Sequence, residues 1–135
     1  MADGIAAVLQ ILSNDGPLTA VVPTDRIIGG VLPQGMTLPA ISISEVSAVP
    51  LKMLKKGATR FVVSRIQATV HSPDQVQRHS IIKLVRNAGD HETPTVAGLT
   101  NVICVADSVG PDLVMPEAAI YQKSQDFKVS YTEPT

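Results

Sequence analysis

The chain has 135 residues, 44% of them hydrophobic and 17% charged, which suits one folded domain with an ordinary core and excludes a disordered chain. Aromatic residues make up only 3% and Trp is absent, so the core has to be aliphatic. A net charge of −1 provides no bulk attraction to nucleic acid or to an anionic membrane.

The N-terminal "MADGIAAVLQILSND" lacks the basic leader and long apolar stretch of a signal peptide, and no segment approaches the length of a membrane span. The expectation is a soluble protein made in the cytoplasm. Asp3 is placed to cap a first helix in which Ile5, Val8, Leu9 and Leu12 recur at helical spacing. Asp15-Gly16-Pro17 ends it, and Pro17–Val22 predicts one short helical turn halted before Pro23. Arg26–Ser44, "RIIGGVLPQGMTLPAISIS", is then heavily punctuated by Gly and Pro and holds no acid, thiol or histidine. Ile41 and Ile43 alternate with Ser42 and Ser44, as in a strand with one wet face.

A clearer strand runs from Thr59 to His71, with Val62, Ile66, Ala68 and Val70 on one face. Between the two lies a long hairpin arm, "SAVPLKMLKKGA". "HSPDQVQRHSIIKLVRNAG" predicts a helix: Ser72 and Gln75 as a capping box, Pro73 at the first helical position, and Val76, Ile81, Leu84 and Val85 as its buried stripe, with Gly89 as the stop. Strands near Leu99–Ala106 and Ala119–Tyr131 follow, joined by the loop "DSVGPDLVMPEA". The order α-α-β-β-β-α-β-β predicts a single α+β domain over residues 1–135: a mainly antiparallel sheet of four to five strands with two main helices on one face.

Catalytic motifs are missing. There is no G-x-S-x-G elbow, no G-x-x-x-x-G-K-[ST] phosphate loop and no H-E-x-x-H. "GGVLPQG" lacks the Lys and the following helix of a phosphate cradle. His71, His79 and His91 share no metal spacing, and His79 beside Ser80 on a helix points the two side chains apart. Cys104, the only cysteine, rules out an internal disulfide framework and a thiolate metal cage. It sits in the apolar strand "NVICVAD", where a small buried hydrophobe is expected rather than a nucleophile. The reading is no catalytic residue, no cofactor and no metal.

Charge is arranged more tellingly. Lys52, Lys55, Lys56, Arg60, Arg65, Arg78, Lys83 and Arg86 are eight of the eleven basic residues, and they share their segment with one acid, Asp74. The rest of the chain sets three bases against eleven acids, so the two parts carry about +7 and −8. Either the clustering is chance on solvated faces, or a basic side meets an acidic side of a neighbour. Nucleic-acid recognition is the weaker reading, because the basic segment has almost no aromatic side chains for stacking.

A short N-terminal helix, "LTAVV" and then "RIIGGVLPQGMTLPAISIS" resemble the tail-completion or tail-terminator proteins of long-tailed bacteriophages and related gene transfer agents. The matching positions are Arg26-Ile27, which opens a strand, the Pro33-Gln34-Gly35 loop, and the Leu38-Pro39 step into the next strand. The later order of long hairpin, helix and two strands is also similar, so the resemblance spans most of the chain. One departure is at Ala40-Ile41, where the family pattern often carries an aromatic.

The resemblance implies a structural virion protein and no enzyme. Such a protein forms a ring, usually of six copies, that caps the tail tube, ends its polymerisation and joins tail to head. The implied partners are further copies of the chain, the tail tube protein and a head-neck connector or head-closure protein. Genome DNA would pass through without sequence-specific binding. Alternatives are another neck or head-closure protein, or a small cytoplasmic ligand-binding domain or enzyme. Lys52, Met53, Lys55, Lys56 and Arg60 on the arm are the expected contacts to a neighbour or the tube, with Asp107, Asp112 and Glu117 in the other long loop as their acidic counterparts.

Overall fold

A computed structural model describes residues 3–51 and 57–134. Three helices and six strands follow in the order α1 (Gly4–Ser13), α2 (Gly16–Thr19), β1 (Ile27–Gly29), β2 (Ala40–Pro50), β3 (Thr59–Ser72), α3 (Gln75–Gly89), β4 (Thr100–Val109), β5 (Leu113–Met115) and β6 (Ile120–Pro134). They form one sheet, ordered β1-β2-β3-β6-β4, with β5 also on β6. The α+β class matches the sequence reading. The sheet has one strand more than expected, and it is mixed, because β1 runs parallel to β2 (Ile27 opposite Ile41, Gly29 opposite Ile43). The additional strand is β5, which lies inside the segment predicted as a loop. It pairs Leu113–Met115 with Gln122–Ile120.

The central strand β3 pairs residue for residue with β6 from Thr59–Pro134 to Ser72–Tyr121. Strand alternation sends Val62, Ser64, Ile66, Ala68, Val70 and Ser72 to the buried face, where Phe127, Val129 and Tyr131 of β6 join them. Both main helices cover this face. From α1 come Ala7, Val8, Ile11 and Leu12, and from α3 Ile81, Ile82, Val85 and Ala88. The core is aliphatic apart from Phe127 and Tyr131.

Local chemistry explains the helix ends. The Asp3 carboxylate accepts from Ala6 N at 3.0 Å and that of Asp15 from Leu18 N at 3.0 Å, each satisfying a first-turn amide. The start of α3 differs from the predicted capping box. Asp74 is the cap, its carboxylate accepting from Gln77 N at 3.2 Å, and Pro73 lies outside the helix. Ser72 is still the last rung of β3, opposite Tyr121, two residues before the helix is capped. Its hydroxyl instead accepts from Asp74 N at 3.2 Å and donates to Gln77 Oε1 at 2.8 Å. Starting the helix later also rotates its stripe. Val76 is 72% exposed, whereas Ile82, Ala88 and even Arg78 are buried.

Gly89 closes α3 against the ring of Phe127. A Cβ at this position would stand 2.4 Å from Phe127 Cε1, and Phe127 is fully buried between sheet and helix. Gly89→Ala is therefore expected to destabilise the protein by about 1–3 kcal/mol through overpacking. Denaturant unfolding of the purified variant measures this directly.

Candidate assembly interface

The sheet face away from the helices carries a ladder of polar side chains. His71 Nε2 lies 2.9 Å from Ser42 Oγ, and His71 Nδ1 lies 3.0 Å from the Gln122 amide nitrogen. Together these contacts place the ring proton on Nε2, so that Gln122 donates to Nδ1 and Nε2 donates to Ser42. Thr69 and Ser124 hydroxyls meet at 2.9 Å. Further along, the Arg65 guanidinium spans two carboxylates, Asp107 at 2.7 Å and Asp126 at 3.1 Å, and Gln67 also donates to Asp126. The Asp126 hydrogen bond and the Asp107 charge hold Arg65 above its ordinary pKa.

At the β1 end of the sheet, the Gly- and Pro-rich stretch folds back over this polar face. Gly30 and Gly35 take φ of +96° and +81°, which only glycine adopts freely, and the Leu38–Pro39 peptide is cis. The sequence reading of this stretch is a turn and a contact surface rather than a pocket. The loop in fact also walls a groove of about 650 Å³, with Leu32, Met36, Leu38, Met115 and Ile120 around a floor of Ser42, His71 and Gln122. Val31 at its rim is 92% exposed.

Three of the sequence-predicted contact residues make ion pairs within the chain. Arg60 pairs with Glu133 at 2.7 Å, Asp107 with Arg65, and Asp112 with Lys123 at 2.8 Å and Arg78 at 3.4 Å. The Lys123 hydrogen bond is the chief cause of the lowered Asp112 pKa. Glu117 is exposed and has no ion pair among the described residues. Lys52, Met53, Lys55 and Lys56 lie outside the described residues. The segregation of +7 and −8 along the sequence is thus partly cancelled by folding, since Arg60, Arg65 and Arg78 each meet an acid from the acidic part.

Sequence reasoning missed two buried polar groups that shape this surface. Arg78, 3% exposed on α3, donates to Leu113 O at 3.3 Å and Gln122 O at 3.5 Å and lies 5.6 Å from the Tyr121 ring centre, so it pins β5 to β6. Gln125, fully buried on β6, donates to Asp107 O and Ser108 O, each at 3.3 Å, where β4 shifts register and leaves its carbonyls without ladder partners. Both were hidden because a polar residue in an alternating or helical pattern reads as solvated unless its partners, more than thirty residues off for Arg78, are known.

Burial pushes the Cys104 thiol up to about 12, with Asp90 and Glu92 adding repulsion. Among the described residues no group of three or more His, Cys, Asp and Glu side chains could hold a metal ion, and no helix is long and apolar enough to cross a membrane.

Among the described residues the sheet thus combines a polar outer face with exposed apolar side chains at its rims. The chain belongs to the tail completion protein gp17 family, whose sequence model matches residues 6–132. Its fold is also similar to that of a chain in the virion of a native gene transfer agent particle, with a TM-score of 0.72 at 14% identity, covering 97% of this chain and 99% of that one. No curated protein sequence matches it. The protein is a structural component of a phage-like tail.

Two measurements check this surface. Burial lowers the His71 pKa below its ordinary 6.5, so the native state binds fewer protons than the unfolded chain between the two values. Stability from this group is full above the unfolded pKa and falls as pH drops through that window. His71→Gln is expected to flatten the dependence of Tm on pH below the ordinary histidine value of 6.5. Cys104 in the native protein should resist alkylation at about pH 8 and react at once after unfolding. Rapid native labelling would show the strand to be open.

Proposed function

We propose that the protein forms a ring, usually six-membered in this family, that caps the finished tail tube, ends its polymerisation and joins the tail to the head. The family match over residues 6–132 carries this reading. The fold supports it physically. The segment of residues 52–60, basic in sequence, leads into one end of β3 and an apolar-walled groove lies toward the other, so the two ends of the subunit are unlike, as contacts that close head-to-tail into a ring require. The partners are further copies of the chain, the tube protein and a neck connector. DNA passes through the ring without base recognition, in keeping with the near-neutral charge and scarce aromatics.

The arm residues Lys52, Met53, Lys55, Lys56 and Arg60 contact a neighbouring subunit or the tube, and Glu117 is the acid best placed to receive them because it has no partner among the described residues. Native mass spectrometry of the protein on isolated tail tubes is expected to give a discrete cyclic oligomer. A stable twofold dimer persisting on the tubes would overturn the proposal. Charge reversal at Lys55 and Lys56 should weaken assembly in a salt-dependent way with monomer Tm almost unchanged. His79→Ala and Cys104→Ala should retain assembly and infectivity, the second losing about 1 kcal/mol of stability through a small cavity.

A further inference from the structure

The two edges of the sheet are finished differently. Along β4 the segment that precedes it covers the edge: Glu92 N donates to Cys104 O at 2.9 Å, Cys104 N donates to Glu92 O at 2.8 Å, and the Asp90 carboxylate accepts from Ala106 N at 2.9 Å. Along β2 the neighbour β1 reaches only Ile41–Ile43, and Gly30 N donates to Ile43 O at 2.7 Å. From Ser44 to Pro50 every residue is exposed, and Val46 and Val49 are 54% and 60% exposed. Open edges of this kind are templates for another strand.

Strand alternation fixes which backbone groups face outward. Leu51 N donates to Phe61 O at 2.9 Å, so Leu51 faces β3, and Pro50 and Ala48 face away. Pro50 has no N–H to offer, which leaves Ala48 with both a donor and an acceptor on the free edge. On the opposite side, Ser124 O accepts from Gly110 N at 2.8 Å, so Ser124, Gln122 and Ile120 face the β4–β5 side. Leu113 and Met115 then bond to β6, and Val114 points its N–H and C=O away from it. Val114 is 48% exposed, and its neighbours Leu113 and Met115 are 53% and 50% exposed.

We propose that Ala48 on β2 of one copy and Val114 on β5 of the next exchange N–H···O bonds, so that the sheet continues from subunit to subunit. The proposal rests on the ring reading and names its interface. A second copy is the fitting occupant for three reasons. Contacts between opposite edges of one sheet are heterologous, the type that closes a ring rather than a dimer. Since β2, β3, β6 and β5 alternate in direction, β5 of a like-oriented neighbour meets β2 antiparallel. Finally, antiparallel pairing of Ala48 with Val114 puts Asp112 opposite Pro50, on the side of β2 that leads in sequence into Lys52, Lys55 and Lys56. Ala48 is level with Val129 and Val114 with Tyr121, eight residues apart on β6 or roughly 27 Å, so strands in the ring run oblique to its axis as in closed barrels.

Ala48→Pro removes the outward N–H without touching a bond to β3, and Ala48→Ser retains it. With tail tubes present, the serine variant should form rings like the unchanged protein. The proline variant should keep its Tm and lose about tenfold or more in assembly, the scale of a lost main-chain bond pair. A second arm combines Ala48→Cys and Val114→Cys in a Cys104→Ala background. Bonded antiparallel rungs stand about 5.5 Å apart at Cα, within disulfide reach, so oxidation should give a ladder of covalent oligomers ending at the ring. The cysteine pair decides the matter if the proline variant fails to fold. Rings that form without the cross-link, normal assembly of a folded Ala48→Pro, or cross-linked dimers from Ala48→Cys alone would overturn the pairing while the ring stands. If the unchanged protein gives no ring on tube ends, the ring reading falls and the pairing with it.

Discussion

The structure hangs on the pairing of β3 with β6. Fourteen consecutive rungs join residues on either side of α3, β4 and β5, so the ladder brings together segments roughly sixty residues apart. Contacts of such sequence separation cost loop-closure entropy before they return anything. Here the return is large, because one face of the ladder carries Val62, Ile66, Ala68, Val70, Phe127, Val129 and Tyr131 into the core. Once it forms, β2 and β4 have edges to dock on, and the two helices have a floor to cover. The outer face, relieved of any role in the core, is free to be polar.

That division of labour accounts for the odd chemistry of the surface. A sheet face with no helix over it has to satisfy its own side chains, and it does so across strands: His71 between Ser42 and Gln122, Thr69 with Ser124, and Arg65 between Asp107 and Asp126. Each pair is a cross-strand neighbour or near neighbour, of the kind that adds a few tenths to about 1 kcal/mol. The charges are largely compensated on the spot. Acids that looked available to a partner are therefore partly engaged by the chain's own arginines and by Lys123.

Much of the fold was legible in the sequence because it rests on local rules. Asp3 as a cap, the alternating stripe of β3 and the Gly89 stop all depend on residues within one turn or rung. The misses have a common cause in long-range competition. Ser72 met every local requirement for a cap, yet its backbone is committed to β6, and the start of α3 passed to Asp74. β5 is only three residues long, and its strand identity comes from Gln122–Ile120 and from Arg78 on a distant helix rather than from its own pattern. For the candidate interface, the charge of residues 52–60 and 107–117 is plain in the sequence, but the ion pairs of Arg60, Asp107 and Asp112 and the free edge of β2 are not. An unpaired edge is a property of what lies beside a strand, and sequence alone does not say that β1 stops at Gly29.

The placement of the two tyrosines along β6 has an optical consequence. Tyr121 lies under the Arg78 guanidinium beside β5, and Tyr131 is buried opposite Val62 toward the root of the arm. With no tryptophan in the chain, near-ultraviolet emission of the folded protein comes from these two rings, one toward each end of the same strand. They differ in surroundings: a cation stands over one, while burial raises the phenol pKa of the other. The molecule thus carries a native fluorophore toward each of its unlike ends, and replacing either tyrosine with phenylalanine leaves a reporter at one end alone.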